Sequence, residues 1–121
     1  MAKRILVADD NPLIRQTLCK LFESEGGYAI CGEAKNGQEE IDLAMQRRPD
    51  LIILDWAMPI MNGLDAAPEL KRLLPDVPII LFTHHANALL RVELIVDRIV
   101  AKSDPSTLMG HVKALAPSET V

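Results

Sequence analysis

Five polar residues stand directly after short apolar runs. Asp9 and Asp10 follow the run ending at Ala8, Asp55 follows Leu51-Ile52-Ile53-Leu54, Thr83 follows the run ending at Phe82, and Lys102 follows a weaker run from Arg98 to Ala101. Three carboxylates, a hydroxyl and an ammonium are complementary groups if one fold gathers them. Carboxylates converging in a low-dielectric crevice repel one another, and one of them keeps its proton unless a cation joins the group. An oxygen-only donor set with Lys102 beside it suits Mg²⁺, which takes one or two carboxylates, retains waters and accepts a phosphoryl oxygen. Each residue alone is weak evidence. An Asp at a strand end is more often a cap or turn former, and a lone Lys is usually solvated. The joint pattern, complementary groups at four of five strand ends, is what random capping rarely produces.

The elements that must position these residues alternate from end to end. Arg4 to Ala8 reads as a strand buried on both faces. Asn11 and Pro12 then supply a cap and a first-turn proline to a helix whose apolar stripe is Leu13, Ile14, Thr17, Leu18, Leu21 and Phe22, ended by Gly26-Gly27. Tyr28 to Ala34 reads as a second strand and Gly37 to Arg48 as a second helix. Glu39 and Glu40 in its first turn and Arg47 and Arg48 in its last complement the helix dipole, and Pro49 ends it. Leu51 to Leu54, Pro78 to Phe82 and Arg98 to Ala101 are three further strands. Asp104-Pro105 repeats the cap-plus-proline start before a final stripe of Leu108, Met109, Val112 and Leu115. Five strands alternating with about five helical stretches require an α/β domain, a doubly wound parallel sheet with helices on both faces, (βα)5 in plan. Its functional crevice lies beyond the carboxyl ends of the strands. Residues 1–116 form the domain and 117–121 a tail or linker stub.

Composition excludes other classes. With 121 residues there is room for one domain, and 49% hydrophobic residues suffice for a core that must be aliphatic, because aromatics are only 3%. A net charge of −4, with no long Lys/Arg run, argues against direct binding to nucleic acid or to an anionic membrane surface. No stretch has the length of a membrane span, and the N-terminal apolar run is too short for a signal peptide. Cys19 and Cys31 lack metal-ligand spacing and read as two reduced, buried thiols of a cytoplasmic chain.

Four segments together resemble the receiver domain of two-component response regulators: Ile5-Leu6-Val7-Ala8-Asp9-Asp10-Asn11, Leu54-Asp55-Trp56-Ala57-Met58-Pro59-Ile60-Met61-Asn62-Gly63-Leu64, Thr83, and Lys102-Ser103. The resemblance implies strand order 2-1-3-4-5. It implies that Asp55 takes a phosphoryl group from a phosphohistidine on a sensor histidine kinase or phosphotransfer protein. Asp9, Asp10, Asp55 and the backbone carbonyl of Ala57 would hold Mg²⁺, Lys102 would contact the phosphoryl group, and Thr83 would move to bond it. The output would be a switched surface for a downstream protein or effector domain. On this reading the chain is a signalling phosphoacceptor and not a turnover enzyme on an external substrate.

This chain also departs from the family pattern. His84 follows Thr83 where a small residue is usual, and with His85 it reads as a pair of exposed loop imidazoles, a poor zinc site. The segment between Thr83 and Lys102 is short, lacks the glycine that normally precedes the last strand, and holds too many apolar residues (Leu89, Leu90, Val92, Leu94, Ile95, Val96) for one helical stripe. Either part of it is not helical, or 86–101 exposes an apolar face for self-association. Position 99 holds Ile where the family often has a moving aromatic ring. Pro68 falls inside the third helix, which should therefore start late or bend near Ala67. Ala57 lacks a polar side chain to orient a hydrolytic water. Trp56 reads as loop packing, and Met58, Met61 and Met109 as gap fillers.

Three other functions compete. A dehalogenase-type phosphatase needs a second Asp where Ala57 stands. A nucleotide or flavin site needs a phosphate cradle where Asp9-Asp10-Asn11-Pro12 stands. A degenerate receiver would act as a phosphorylation-independent interaction module, a reading that His84, Ile99 and the short segment keep open.

Overall fold

The strands are β1 (Lys3–Ala8), β2 (Tyr28–Ala34), β3 (Leu51–Leu54), β4 (Ile79–Thr83) and β5 (Arg98–Ala101) in a computed structural model that describes residues 2–84 and 95–118. They form one sheet in the order β2-β1-β3-β4-β5, and every pairing is parallel. The helices among the described residues are α1 (Pro12–Glu25), α2 (Gly37–Arg47), α3 (Gly63–Leu73) and α4 (Leu108–Leu115), the last preceded by a 3₁₀ turn over Pro105–Thr107. The expected doubly wound sheet and its order are therefore present. The helical stretch expected between β4 and β5, with His85, Leu89, Leu90, Val92 and Leu94, lies outside the described residues.

Strand residues alternate between two aliphatic cores, as a period of two requires. Leu6, Ala8, Ile52, Leu54, Ile79 and Leu81 face the side of α2 and α3. Ile5, Val7, Leu51, Ile53, Ile80 and Phe82 face the side of α1 and α4, where Phe22 and Tyr28 meet edge to face at 5.7 Å. Ile95, Val96 and Ile99 pack against the α2/α3 core, which absorbs the described part of the apolar excess before Lys102. A polar clasp stands at the entry of β5. Asp97 Oδ2 accepts from Lys71 Nζ at 2.6 Å and from the Ile79 N–H at 2.8 Å, which ties α3 and the start of β4 to the entry of β5.

Four expectations are corrected. Of the two alternatives for α3, a late start or a bend near Ala67, the late start does not occur: Asn62 caps the helix, the Gly63 N–H donates to Trp56 O at 2.8 Å, and the helix runs through the exposed Pro68. The loop bonds set the start, and the proline removes only one later N–H donor. Asp104 does not cap a helix, because its carboxylate accepts from Ser106 Oγ at 2.5 Å and the chain enters a 3₁₀ turn instead. Cys19 and Cys31 are unpaired but half-buried, the second at a register shift between β1 and β2. Glu40 lies in the first turn of α2 as expected, but it is not the charged partner of the dipole which that position implies. It is fully buried on α2, and among the described residues neither carboxylate oxygen has a hydrogen-bond partner.

Burial alone holds the Glu40 carboxyl well above the usual carboxylate range. With the folded value raised, the stability of the neutral form is full below the ordinary carboxylate value and is lost as pH rises through the folded one. Replacing Glu40 with Met, of similar length and without polar atoms, is expected to raise the thermal midpoint by a few degrees near pH 8 and by less near pH 5. Thermal denaturation of both proteins across that range checks this, and an unchanged or lower midpoint at the alkaline end contradicts it.

Candidate functional site

The expected residues meet at the carboxyl edge of the sheet because adjacent central strands end side by side. β1 and β3 pair from Ile5↔Leu51 to Ala8↔Leu54, which places Asp9 and Asp55 next to each other. The Asp9 N–H donates to Ala34 O at 3.0 Å and the Asp55 N–H to Ala8 O at 2.9 Å, so the ladder continues one residue into the site. Thr83 and Ala101 pair across β4 and β5, and the Lys102 N–H donates to Thr83 O at 2.9 Å. The alternation that fills two cores thus delivers polar residues only after the apolar runs stop.

One ammonium bridges the two buried acids. Lys102 Nζ lies 2.6 Å from Asp9 Oδ2 and 3.2 Å from Asp55 Oδ2, and all three side chains are 7% exposed or less. Asp9 Oδ1 is also engaged, by the Asn11 N–H at 2.9 Å, and Asn11 Oδ1 in turn accepts from the Leu13 N–H at 2.9 Å to start α1. Asp10 is exposed. Ligand atoms of Asp9, Asp10 and Asp55 lie within 4.8 Å of one another, an oxygen-only set that could hold a hard divalent cation. Burial raises the Asp55 carboxyl above its ordinary range. The Asp9 charge adds to this, and Lys102 and the Trp56 N–H oppose it. Three carboxylates against one ammonium leave an excess of negative charge.

The other residues singled out in the sequence take quieter places. Thr83 is fully buried and His84 exposed. Ile99 pairs with Leu81 across the strands and packs inward. Ala57 is exposed in an open depression of about 480 Å³ lined with Asp10, Trp56, Met58, Pro59 and Asn62. Met58 is buried, and Trp56, Met61 and Met109 are partly buried against the cores, which matches their reading as packing residues.

A tight clamp holds the β3–α3 loop. Gly37 donates its N–H to Met61 O at 2.7 Å, and a Cβ on it would lie 2.4 Å from that oxygen. A Cβ on Gly63 would lie 2.4 Å from Asp55 O. Between these two contacts Ile60 adopts φ +67° while the Met61 N–H donates to Pro59 O at 2.7 Å, a strained three-residue turn around a β-branched residue that is 86% exposed. The pattern did contain a signal for the clamp. Both α2 and α3 begin Asn-Gly, and both asparagines cap, accepting from the Glu39 N–H at 2.9 Å and the Asp65 N–H at 3.0 Å. Arg15 had no such signal, yet its Nη1 donates to Asp9 O at 2.7 Å.

The sequence and the fold match known proteins. Residues 5–113 match the family described as response regulator receiver domain. The chain belongs to that family. Chemotaxis protein CheY of Thermotoga maritima is 33% identical over 113 residues, covering 90% of this chain and 93% of that protein. Transcriptional regulatory protein PdtaR of Mycobacterium tuberculosis is 45% identical over 83 residues, covering 67% of this chain and 40% of that regulator. The match to the mycobacterial regulator thus spans about two fifths of its length. Among solved structures, response regulator TrrA of Thermotoga maritima, in complex with Mg²⁺-BeF, superposes with a TM-score of 0.86 at 37% identity, covering 93% of this chain and 98% of that one. Among the described residues of this receiver no helix is long and apolar enough to cross a membrane.

Gly63→Ala must displace the backbone of Asp55 itself. The substitution is expected to cost about 1–3 kcal/mol by overpacking against a backbone atom. Chemical denaturation measures it, and a cost below about 0.5 kcal/mol would show that the loop can yield.

Proposed function

We propose that this receiver accepts a phosphoryl group on Asp55 from a phosphohistidine of a sensor histidine kinase or phosphotransfer protein, with Asp9, Asp10, Asp55 and the Ala57 carbonyl as Mg²⁺ ligands. The observation that carries the reading is the convergence of Asp9, Asp10, Asp55 and Lys102 in a receiver-family fold. The donor set fits the ion: every donor is a hard oxygen, the site holds surplus negative charge, and exposed Asp10 leaves room for coordinated water. Bound there, Mg²⁺ would supply positive charge that neutralises the transferring phosphoryl oxygens.

The chain's own residues do the rest. An Asp55 carboxylate oxygen attacks phosphorus while the P–N bond breaks, and the electron pair stays on the imidazole nitrogen. Lys102, already 3.2 Å from Asp55, is placed to bond a phosphoryl oxygen, and its shorter bond to Asp9 keeps the ammonium in position beforehand. The aspartyl phosphate adds up to about two negative charges and three strong acceptors. Satisfying them draws on Lys102 and on the Thr83 hydroxyl, whose strands are joined by the Lys102 N–H to Thr83 O bond. With Ile99 in place of a ring, coupling runs through that backbone link to the loops beyond it. A downstream protein or effector domain then reads the altered surface, in the cytoplasm, and the chain turns over no external substrate. Residues 1–116 are the receiver and 117–121 a tail, a division supported by buried Ala116 accepting from Tyr28 Oη at 3.0 Å and by exposed Pro117.

Intact mass after incubation with Mg²⁺ and a small phosphodonor tests the assignment. Wild type should gain one phosphoryl group, and Asp55→Asn or added chelator should abolish the gain. No gain in wild type, or an equal gain in the variant, would sink it and favour an interaction module that works without phosphorylation.

A further inference from the structure

Arg15 occupies a position that helix energetics disfavours. It sits in the opening of α1, where the first turn holds no acidic residue and the exposed amide dipoles repel a cation. Its side chain is nevertheless only 17% exposed and makes two directed contacts. Nη1 donates to the backbone carbonyl of Asp9 at 2.7 Å, and Nε pairs with Glu33 Oε1 on β2 at 3.3 Å. The Asp9 carbonyl belongs to the peptide that joins the two neighbouring acids. Every other polar group of Asp9 is already assigned: its N–H to Ala34, Oδ1 to the Asn11 N–H, and Oδ2 to Lys102. β2 ends at Ala34, and the donor that reaches the Asp9 carbonyl comes from α1.

We propose that Arg15 is a positioning residue for the cation site, setting the plane of the Asp9–Asp10 peptide and hence the direction in which the exposed Asp10 carboxylate leaves the backbone. Glu33 is its counterweight. It balances the guanidinium charge, so that Arg15 orients the peptide without repelling a dication nearby. Packing does not fix exposed Asp10, so its direction depends on the backbone on either side, where the Asp9 carboxylate holds the Asn11 N–H and Arg15 holds the Asp9 carbonyl. This inference rests on the reading of the acidic cluster as a Mg²⁺ site.

Charge and position predict opposite signs, which makes the test decisive. The sole tryptophan, Trp56, lines the depression with Asp10, and its fluorescence is the readout for a Mg²⁺ titration. Arg15→Met should weaken Mg²⁺ affinity about tenfold, the scale seen when a group supporting a metal ligand is removed. Arg15→Lys, which restores a single donor, should recover part of the loss. Glu33→Gln should weaken binding at low ionic strength and return toward wild type in added salt, because its effect is one of unbalanced charge. The thermal midpoint without Mg²⁺ separates these effects from a general loss of fold, and the Lys variant keeps the test available if the Met variant does not fold. Unchanged or tighter Mg²⁺ binding in Arg15→Met, with wild type binding normally, overturns the positioning role alone. A wild type that binds no Mg²⁺ overturns the reading of the site as well.

Discussion

Two buried carboxylates share one ammonium at the end of the sheet, and the surrounding structure is organised around that imbalance. Asp9 and Asp55 come from adjacent strands, and Lys102 reaches both from the last strand of the sheet. Removing such charges from water is expensive, and a single cation offsets only part of the cost. Asp55 bears the remainder as a carboxyl held above its ordinary range. A site in this condition gains from a divalent cation, whose charge offsets the remaining repulsion. The same arrangement is a tolerable resting state and a receptive one.

Precision around those charges comes from backbone contacts. Asn-Gly pairs open both α2 and α3, and in each the asparagine caps while the glycine lets another carbonyl approach to where a Cβ would stand. One of these carbonyls is that of Asp55, so the start of α3 and the position of Asp55 are a single constraint. The strained turn at Ile60 lies between the two contacts, as expected of a loop whose ends are both fixed. The loop after β1 is held by side chains instead, through Asn11, Lys102 and Arg15.

Much of this was legible beforehand. Continuous apolar runs and cap-plus-proline starts locate the strands and the first helix to within a residue, because the central strands β3 and β4 and the end of β1 are buried on both faces and stay apolar until they end. The residues that follow those ends were therefore visible as a set. Pro68 misled because a proline's effect on a helix start depends on what else fixes that start, here a bond from Gly63 to Trp56. Asp104 misled because a carboxylate two residues from a serine has a competing partner.

Glu40 shows where pattern reading stops. Its first-turn position is a good one for an acid, and only its burial against the sheet turns it into a carboxyl without a partner. The chain's linear order settles which residues are apolar, where strands end and which groups follow them, since those follow from periodicity and local backbone chemistry. Folding alone decides that Arg15 meets the Asp9 carbonyl, that Gly63 meets the Asp55 carbonyl and that the Glu40 carboxyl is buried. Each of these depends on the distance between elements that the sequence separates and packing brings together.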